Sequence, residues 1–318
     1  MSSRRYISPL RYPGGKARIV PFLTHVLASQ FDDGVEVWVE PFAGGAGAGL
    51  ALLDSGAVGE LWLTEKNPAI AALWQTVLAE PDALAARVEG TVPDLALFYG
   101  SREIVASAAE HEIFDVAFAA LVLNRCSRSG IVAPRVGPIG GRAQSGPWTV
   151  RSRWNGSGLA ERIRYVGSMS GSIRFTHGDA LDTINDLRDC GVEDEVMLFV
   201  DPPYLREGNR LYFNGMSLED HRSLAAALHS CPARWLLTYD DEPVVFEELY
   251  PRSRVMAYAI PNTANRQRVA TEYVVLSDTI GIDASAPPVV PGFDTWWVRG
   301  DYDQTQPWSV SLMPALSA

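Results

Sequence analysis

Residues 196–207 read VMLFVDPPYLRE, an apolar run that stops on a carboxylate and continues into two prolines and a tyrosine. A strand ending this way delivers Asp201 to the carboxyl edge of a sheet, where open α/β folds bind ligands. Pro202 and Pro203 present carbonyls without competing N–H groups, so the surface there is stiff and rich in acceptors. Tyr204 adds a ring on which a planar heterocycle can stack, worth about 1–3 kcal/mol per base. Acceptors for an NH2 group beside a stacking plate describe a site for the exocyclic amine of a nucleobase.

Other stretches carry compatible chemistry. In VEPFAGGAGAGLALL (39–53) a strand passes through Glu40, Pro41 and Phe42 into a glycine turn and then a helix. Glycines there allow a tight turn and close approach of a ligand. The spacing of Gly44, Gly45, Gly47 and Gly49 fits no GxGxxG, and no GK[ST] follows, so dinucleotide and P-loop readings fail. Glu65, at the end of the next strand and just before Asn67, stands where an acid can accept from both hydroxyls of a ribose. Asp179 and Ala180, in HGDA, follow a further strand; Asp179 could accept an adenine amine, although Gly-Asp there is also an ordinary turn. Near the start, RYPGGK places Lys16 at the opening of a helix, where a cation opposes the helix dipole. A carboxylate or phosphate partner explains that lysine better than helix stability does. Tyr12 offers a flat face for a cation or a base.

These residues need a scaffold that brings several strand ends together. Runs at 36–40, 60–64, 172–176, 196–200, 234–239, 254–260 and 271–277 fit buried or half-buried strands. Helical patterns at 46–55, 68–79 and 217–229 alternate with them, the last opening on Ser217 with Asp220 three residues on, a capping-box start. Such alternation predicts a mostly parallel, seven-stranded α/β sheet with helices on both faces. It breaks between 80 and 171, first into an alanine-rich helical stretch and then, over 124–157, into a segment crowded with Gly, Pro, Ser and Arg, which reads as a binding insertion. The expected organisation is a discontinuous domain at 1–79 and 172–283, an inserted lobe at 80–171, and a tail at 284–318 without usable periodicity.

The formal net charge of -11 argues against a polyanionic partner, but its distribution argues for one. Nine arginines and a single acid, Glu161, lie between Arg125 and Arg174, a local charge of +8 that leaves -19 on the remainder. A basic face on an acidic body still binds phosphate, because the local field is what matters. Three scattered cysteines without a CxxC pair make a disulfide framework or zinc site a poor expectation and point to a reducing cytoplasm. The start lacks the apolar core of a signal peptide, and no run approaches the ~18 apolar residues of a membrane span.

Taken in order, the motifs resemble the S-adenosylmethionine-dependent DNA adenine-N6 methyltransferases of the Dam type, the D12 class. RYPGGK is similar to that family's Trp/Tyr-x-Gly-Gly-Lys motif, EPFAGGAG to its Glu-Pro-Phe-x-Gly-x-Gly motif, and Glu65, GDA and DPPY follow in family order. The basic insertion falls where the family carries its target-recognition lobe, and LNRCSRSG (123–130) is similar to the entry to that lobe. The resemblance implies a Rossmann-like methyltransferase fold. S-adenosylmethionine would be held by Tyr12, Lys16, Glu40–Phe42, Gly44, Gly45, Gly47, Glu65, Asn67, Asp179 and Ala180. Asp201, Pro202, Pro203 and Tyr204 would receive an adenine drawn out of duplex DNA, with Phe213 and Asn214 lining its pocket. Asn124, Arg125, Arg128, Arg135, Arg142, Arg151 and Arg153 would meet DNA. The resemblance implies no metal, a monomer, and a cognate restriction or defence system as a partner class. N4 of cytosine, adenine in RNA, and a DNA-binding protein that keeps the fold without turnover remain alternatives; Asp201 rather than serine favours adenine by resemblance.

Overall fold

The computed structural model describes residues 7–11, 14–31, 35–190, 195–206, 215–262 and 268–302. Its sheet is built from β1 (Val35–Glu40), β2 (Val58–Glu65), β3 (Ile173–His177), β4 (Val196–Val200), β5 (Arg234–Asp240), β6 (Arg254–Asn262), β7 (Arg268–Leu276) and β8 (Thr295–Arg299). The strand order is β3-β2-β1-β4-β5-β7-β6-β8. The pairs β3–β2, β2–β1, β1–β4 and β4–β5 are parallel, whereas β7 is antiparallel to β5 and β6, and β8 to β6. Seven strands lie where the alternating pattern predicts them. The eighth is a correction, since it comes from the tail at 284–318, which shows no periodicity. Every residue of TWWVR is half-buried except the exposed Trp296, so this edge strand has no inside-outside alternation to read.

Chain direction explains where a site must form. The chain runs outward from β1 through β2 to β3, then returns and runs the other way from β4 to β5. The crevice between the carboxyl ends of β1 and β4 is therefore the switch point at which such sheets bind ligands. Glu40 ends β1 and Asp201 follows β4 directly.

Two apolar layers hold the strands. Side chains alternate across a strand, so Trp38, Met197 and Phe199 point to one face and Val37, Val39, Val196, Leu198 and Val200 to the other. Trp38 stacks on Phe199 with ring centroids 5.6 Å apart. On the first face pack α1 (Val20–Gln30), α2 (Gly47–Ser55) and α3 (Pro68–Ala79), with α4 (Pro81–Glu89), α5 (Leu95–Ala106), α6 (Ile113–Cys126) and α7 (Gly156–Ser168) continuing the same core outward. On the second face lie α8 (Ala180–Cys190) and α9 (Leu218–Ser230), through Ile184, Leu187, Leu224 and Leu228. Each fully buried Leu or Ile contributes roughly 1.5–3 kcal/mol. Ser217 caps α9 with the reciprocal Ser217–Asp220 bonds that SLED predicts.

The helical insertion thus shares one apolar core with the sheet, α6 packing on α3 and α7 on α4. Two residues assigned to DNA belong to this packing instead. Asn124 is fully buried; its Oδ1 accepts from Arg11 N–H at 2.8 Å, and its Nδ2 donates to the carbonyls of Arg11 (2.8 Å) and Gly130 (2.6 Å). Arg125 is buried as well and donates from Nε and Nη2 to the Pro9 carbonyl. Burial presses the Arg125 guanidinium down to about 10. Both side chains tie the N-terminal segment to the end of α6. Replacing Asn124 by Ala leaves the buried Gly130 carbonyl and two part-buried backbone groups of Arg11 unpaired, and a buried one alone costs about 1–3 kcal/mol. Thermal denaturation of Asn124→Ala is expected to show a loss of several kcal/mol, against less than about 0.5 kcal/mol for a surface change such as Arg142→Ala.

Candidate active site and nucleic-acid interface

The carboxyl edge around the switch point is organised by an ion pair. Lys16, at the turn before α1 and only 4% exposed, places Nζ 2.9 Å from Asp201 Oδ1 and 3.6 Å from Glu272 Oε2, and donates to the Gly14 carbonyl at 2.8 Å. The Thr238 hydroxyl, on β5, donates to the same Asp201 Oδ1 at 2.6 Å. One oxygen of Asp201 is therefore fully engaged, while no hydrogen bond among the described residues engages Oδ2. Burial works against the Lys16 ammonium, but Asp201 and Glu272 outweigh it and hold its pKa above the ordinary lysine value.

Tyr204 stands beside this pair. Its ring centre is 4.9 Å from Lys16 Nζ, and its hydroxyl donates to Glu272 Oε2 at 2.8 Å. Tyr258, on β6, donates to the same oxygen. Burial pushes both phenols well above their usual pKa, so both hydroxyls stay protonated donors.

Across the switch point the glycine turn is built on carboxylates and backbone. Glu40 is buried and accepts from Trp38 Nε1 at 3.1 Å and from Gly49 N–H at 2.6 Å, anchoring the first turn of α2. A Cβ on Gly49 would lie 2.5 Å from Leu61 Cδ1 and 2.7 Å from Glu40 Oε1, so glycine is required for this approach. Gly44 adopts a φ of 46°; its N–H donates to Glu65 Oε2 at 3.0 Å and its carbonyl accepts from Trp74 Nε1 at 2.9 Å. Glu65 Oε1 accepts from Asn67 N–H at 2.8 Å. A carboxylate has about four acceptor positions, so Glu65 keeps capacity for further donors. Asp179 is an N-terminal acceptor for α8 through Leu181 N–H (2.9 Å) and pairs with Lys66 at 2.6 Å. Burial works against that carboxylate, yet Lys66 and Leu181 N–H hold it below the usual range.

A second feature lies on the insertion. Tyr99 and Arg102 of α5 face Arg128, Arg135 and Arg142 across a cleft of about 430 Å3. The Arg102 guanidinium lies over the Tyr99 ring, 5.3 Å from its centre. No carboxylate of the described residues pairs with any of the four arginines. Gln144 braces the loop that carries them, donating to the carbonyls of Ile139 (2.7 Å) and Gly141 (2.6 Å) and accepting from Val150 N–H (2.8 Å).

Comparison with known proteins decides the family. The profile of the D12 class N6 adenine-specific DNA methyltransferases matches residues 12–264. The chain belongs to this family. Among solved structures, it is similar to the rRNA methyltransferase aviRa from Streptomyces viridochromogenes, at 15% identity over 83% of this chain and 85% of that one, with a TM-score of 0.38. It is also similar to protein LPL1258 from Legionella pneumophila, at 12% identity over 91% and 98%, with a TM-score of 0.36. Neither likeness carries an argument about function. No curated protein matches the chain.

For this D12-class chain, the geometry brings together Lys16, Asp201 and Tyr204, with Glu40 one strand away and Gly44 joined to Glu65. Pro202 is buried and Pro203 half-buried, directly after Asp201. Pro41, Gly45 and Ala180 are buried and Phe42 and Gly47 half-buried in the two strand-to-helix turns. Asn67 is chiefly a helix cap, its Oδ1 accepting from Ala69 and Ile70 N–H, a role its place before Pro68 would suggest. Arg151 donates to the Pro93 carbonyl and Arg153 to the carbonyls of Ser127 and Arg128, so both also brace the insertion. Tyr12, Phe213 and Asn214 lie outside the described residues. Missed in the sequence are Thr238, Tyr258, Glu272, Lys66, Tyr99 and Arg102. A glutamate inside the apolar run VATEYVVL is the one local signal that could have drawn attention to Glu272.

Glu40 generates a pH prediction. Burial raises its carboxyl to about 7 from 4.5, against the hydrogen bonds from Trp38 and Gly49. The folded protein holds the extra proton between these values, so this group's contribution to stability is present below 4.5 and lost as pH rises towards 7. Melting temperatures across that window are expected to fall more for the natural protein than for Glu40→Gln, which cannot ionise; parallel curves would refute this assignment.

Proposed function

We propose that the chain transfers a methyl group from S-adenosylmethionine to N6 of an adenine drawn out of duplex DNA. The observation that carries this reading is the division of labour within Asp201. Lys16 and Thr238 consume Oδ1 and fix the carboxylate, leaving Oδ2 as an oriented acceptor at the switch point. The Pro202 carbonyl follows at once, and a planar amine has two hydrogens to satisfy two such acceptors.

The residues around the glycine turn fit the methyl donor that the family uses. Glu65 retains acceptor capacity for ribose hydroxyls, the Asp179 carboxylate is available for an adenine amine if Lys66 yields it, and the absence of a Cβ at Gly49 preserves the close packing beneath the turn. When bound, the donor supplies an electrophilic methyl group. Asp201 Oδ2 and the Pro202 carbonyl draw on the N6 hydrogens and turn the nitrogen lone pair, otherwise delocalised into the ring, toward that group. With the donor bound, N6 would supply the electron pair of the new N–C bond while the old bonding pair left with the thioether, and Asp201 Oδ2 would take the surplus N6 proton. Orientation of this kind supplies most of the acceleration. Extruding the adenine costs a few kcal/mol, offset by stacking on Tyr204 at about 1–3 kcal/mol and by the two hydrogen bonds.

The arginine cleft supports duplex DNA as the substrate. Four like charges without acidic partners repel one another unless anions lie between them, and guanidinium forks match phosphate geometry.

Purified protein incubated with S-adenosylmethionine and duplex DNA is expected to yield N6-methyladenine at one short recurrent sequence, detected by mass spectrometry of the nucleosides. Asp201→Ala should abolish the product while duplex binding persists; unmodified DNA with the natural protein would sink the reading. Replacing Arg135 and Arg142 by Ala should weaken duplex binding and reduce the slope of log K against log salt by up to about 2, near 0.9 per lost phosphate contact. An unchanged slope would move the DNA-contacting face elsewhere.

A further inference from the structure

Glu272 lies on β7, in the antiparallel part of the sheet, level with the carboxyl end of the parallel strand β5. In register it stands opposite Asp240 of β5 and Tyr258 of β6. Its side chain is 13% exposed, and its Oε2 gathers the Tyr204 hydroxyl, the Tyr258 hydroxyl and, at 3.6 Å, the Lys16 ammonium. A largely buried carboxylate gains from such partners, so stability alone would account for some of this network. The identity of the groups it holds points further.

We propose that Glu272 is a positioning residue for methyl transfer, fixing the Tyr204 ring through its hydroxyl and the Lys16 ammonium that orients Asp201. This rests on the methyltransferase reading above.

Two arguments carry it. The first is geometric. Tyr204 follows two prolines that stiffen the chain leading to it, and its ring direction depends on its own side-chain torsions. A hydrogen bond at the far end of the ring, 2.8 Å to Glu272 Oε2, constrains those torsions. Lys16 is likewise held from two sides, by Asp201 and by Glu272. Without Glu272, the ammonium keeps only Asp201 and the Gly14 carbonyl, and the fixed division between the two Asp201 oxygens loosens. Misplacement of a reacting group by about 1 Å costs on the order of a hundredfold in rate.

The second argument is electrostatic. Asp201, Glu272 and Lys16 leave a formal charge of -1 around Tyr204. Methyl transfer moves positive charge onto N6, and a fixed negative charge in a site shielded from water stabilises it as it forms. Asp201 is already neutralised by its ion pair, so Glu272 supplies that excess charge.

The test compares single-turnover methylation by the natural protein, Glu272→Gln, Tyr204→Phe and the double variant, with donor affinity measured by calorimetry and folding by thermal melting. Glu272→Gln keeps shape and acceptor but removes charge. It is expected to slow single turnover at least about tenfold while donor affinity stays within about threefold. The double variant should lose less than the product of the two single losses, as for residues acting as a unit. A Glu272→Gln protein that turns over at the natural rate would overturn the proposal, as would losses that simply multiply with Tyr204→Phe. So would a change confined to melting and donor affinity. Should Glu272→Gln fail to fold, Tyr204→Phe, which removes only the hydroxyl that Glu272 holds, serves in its place: a slowed single turnover with donor affinity within about threefold is expected, and a natural rate overturns the proposal. If the natural protein itself transfers no methyl group, the underlying reading falls as well, whereas an active natural protein with an equally active variant sinks only the role of Glu272.

Discussion

Everything at the ligand edge depends on one ion pair, the buried Lys16 with the half-buried Asp201. An isolated buried charge is untenable, and breaking a buried pair costs about 3–5 kcal/mol. The two residues are far apart in the chain, one from the turn before α1 and one from the end of β4. Their contact therefore closes the N-terminal segment over the switch point. The surroundings follow from that need: Thr238 takes the shared oxygen, Glu272 supports the ammonium from the other side, and Asn124 and Arg125 secure the chain that leads to Lys16. The helix dipole makes Lys16 unfavourable at a helix start, and this carboxylate pairing is what compensates it.

Much of this was legible because local chemistry and local structure agree. VMLFV forms β4 as written, and SLED caps α9 with the bonds its spacing calls for. EPFAGGAG places a carboxylate, a turn and a helix start in one continuous stretch. Pairing at long range was not legible. Glu272 lies 68 residues from Tyr204, and only the antiparallel register of β5, β7 and β6 brings its oxygen to that hydroxyl. Charge counting erred for a similar reason. Nine arginines in one segment imply a basic face, but composition cannot separate Arg125, spent on the Pro9 carbonyl, from Arg135 and Arg142 at the cleft. Arg102 stands outside the basic run altogether and joins the cleft through the packing of α5.

The two halves of the site also differ in how they are held. The glycine turn is secured by fixed backbone bonds to Glu40, Glu65 and Trp74, and tolerates little change where Gly49 packs on Leu61. The side that would meet the base relies on side chains gathered around Lys16 and Glu272. One half is a moulded seat and the other a network of adjustable tips, an arrangement suited to a common donor on one side and an incoming base on the other.

The shared core of the insertion bears on how such a protein can diversify. Helices α4 to α7 are not an exchangeable module, since α6 and α7 pack on α3 and α4 and α6 also secures the N-terminal segment. The outer part of the loop, residues 135–149, is different: besides backbone bonds of Gly137 and Ile139 to Arg128 and Cys126 it is braced from within, by Gln144. Drift in this family member can alter the outer loop without disturbing the frame, and under the proposed DNA-binding role new target preferences would be open to substitution, insertion and recombination there. Grafts cut at the helix boundaries instead carry half of a hydrophobic interface into a foreign partner.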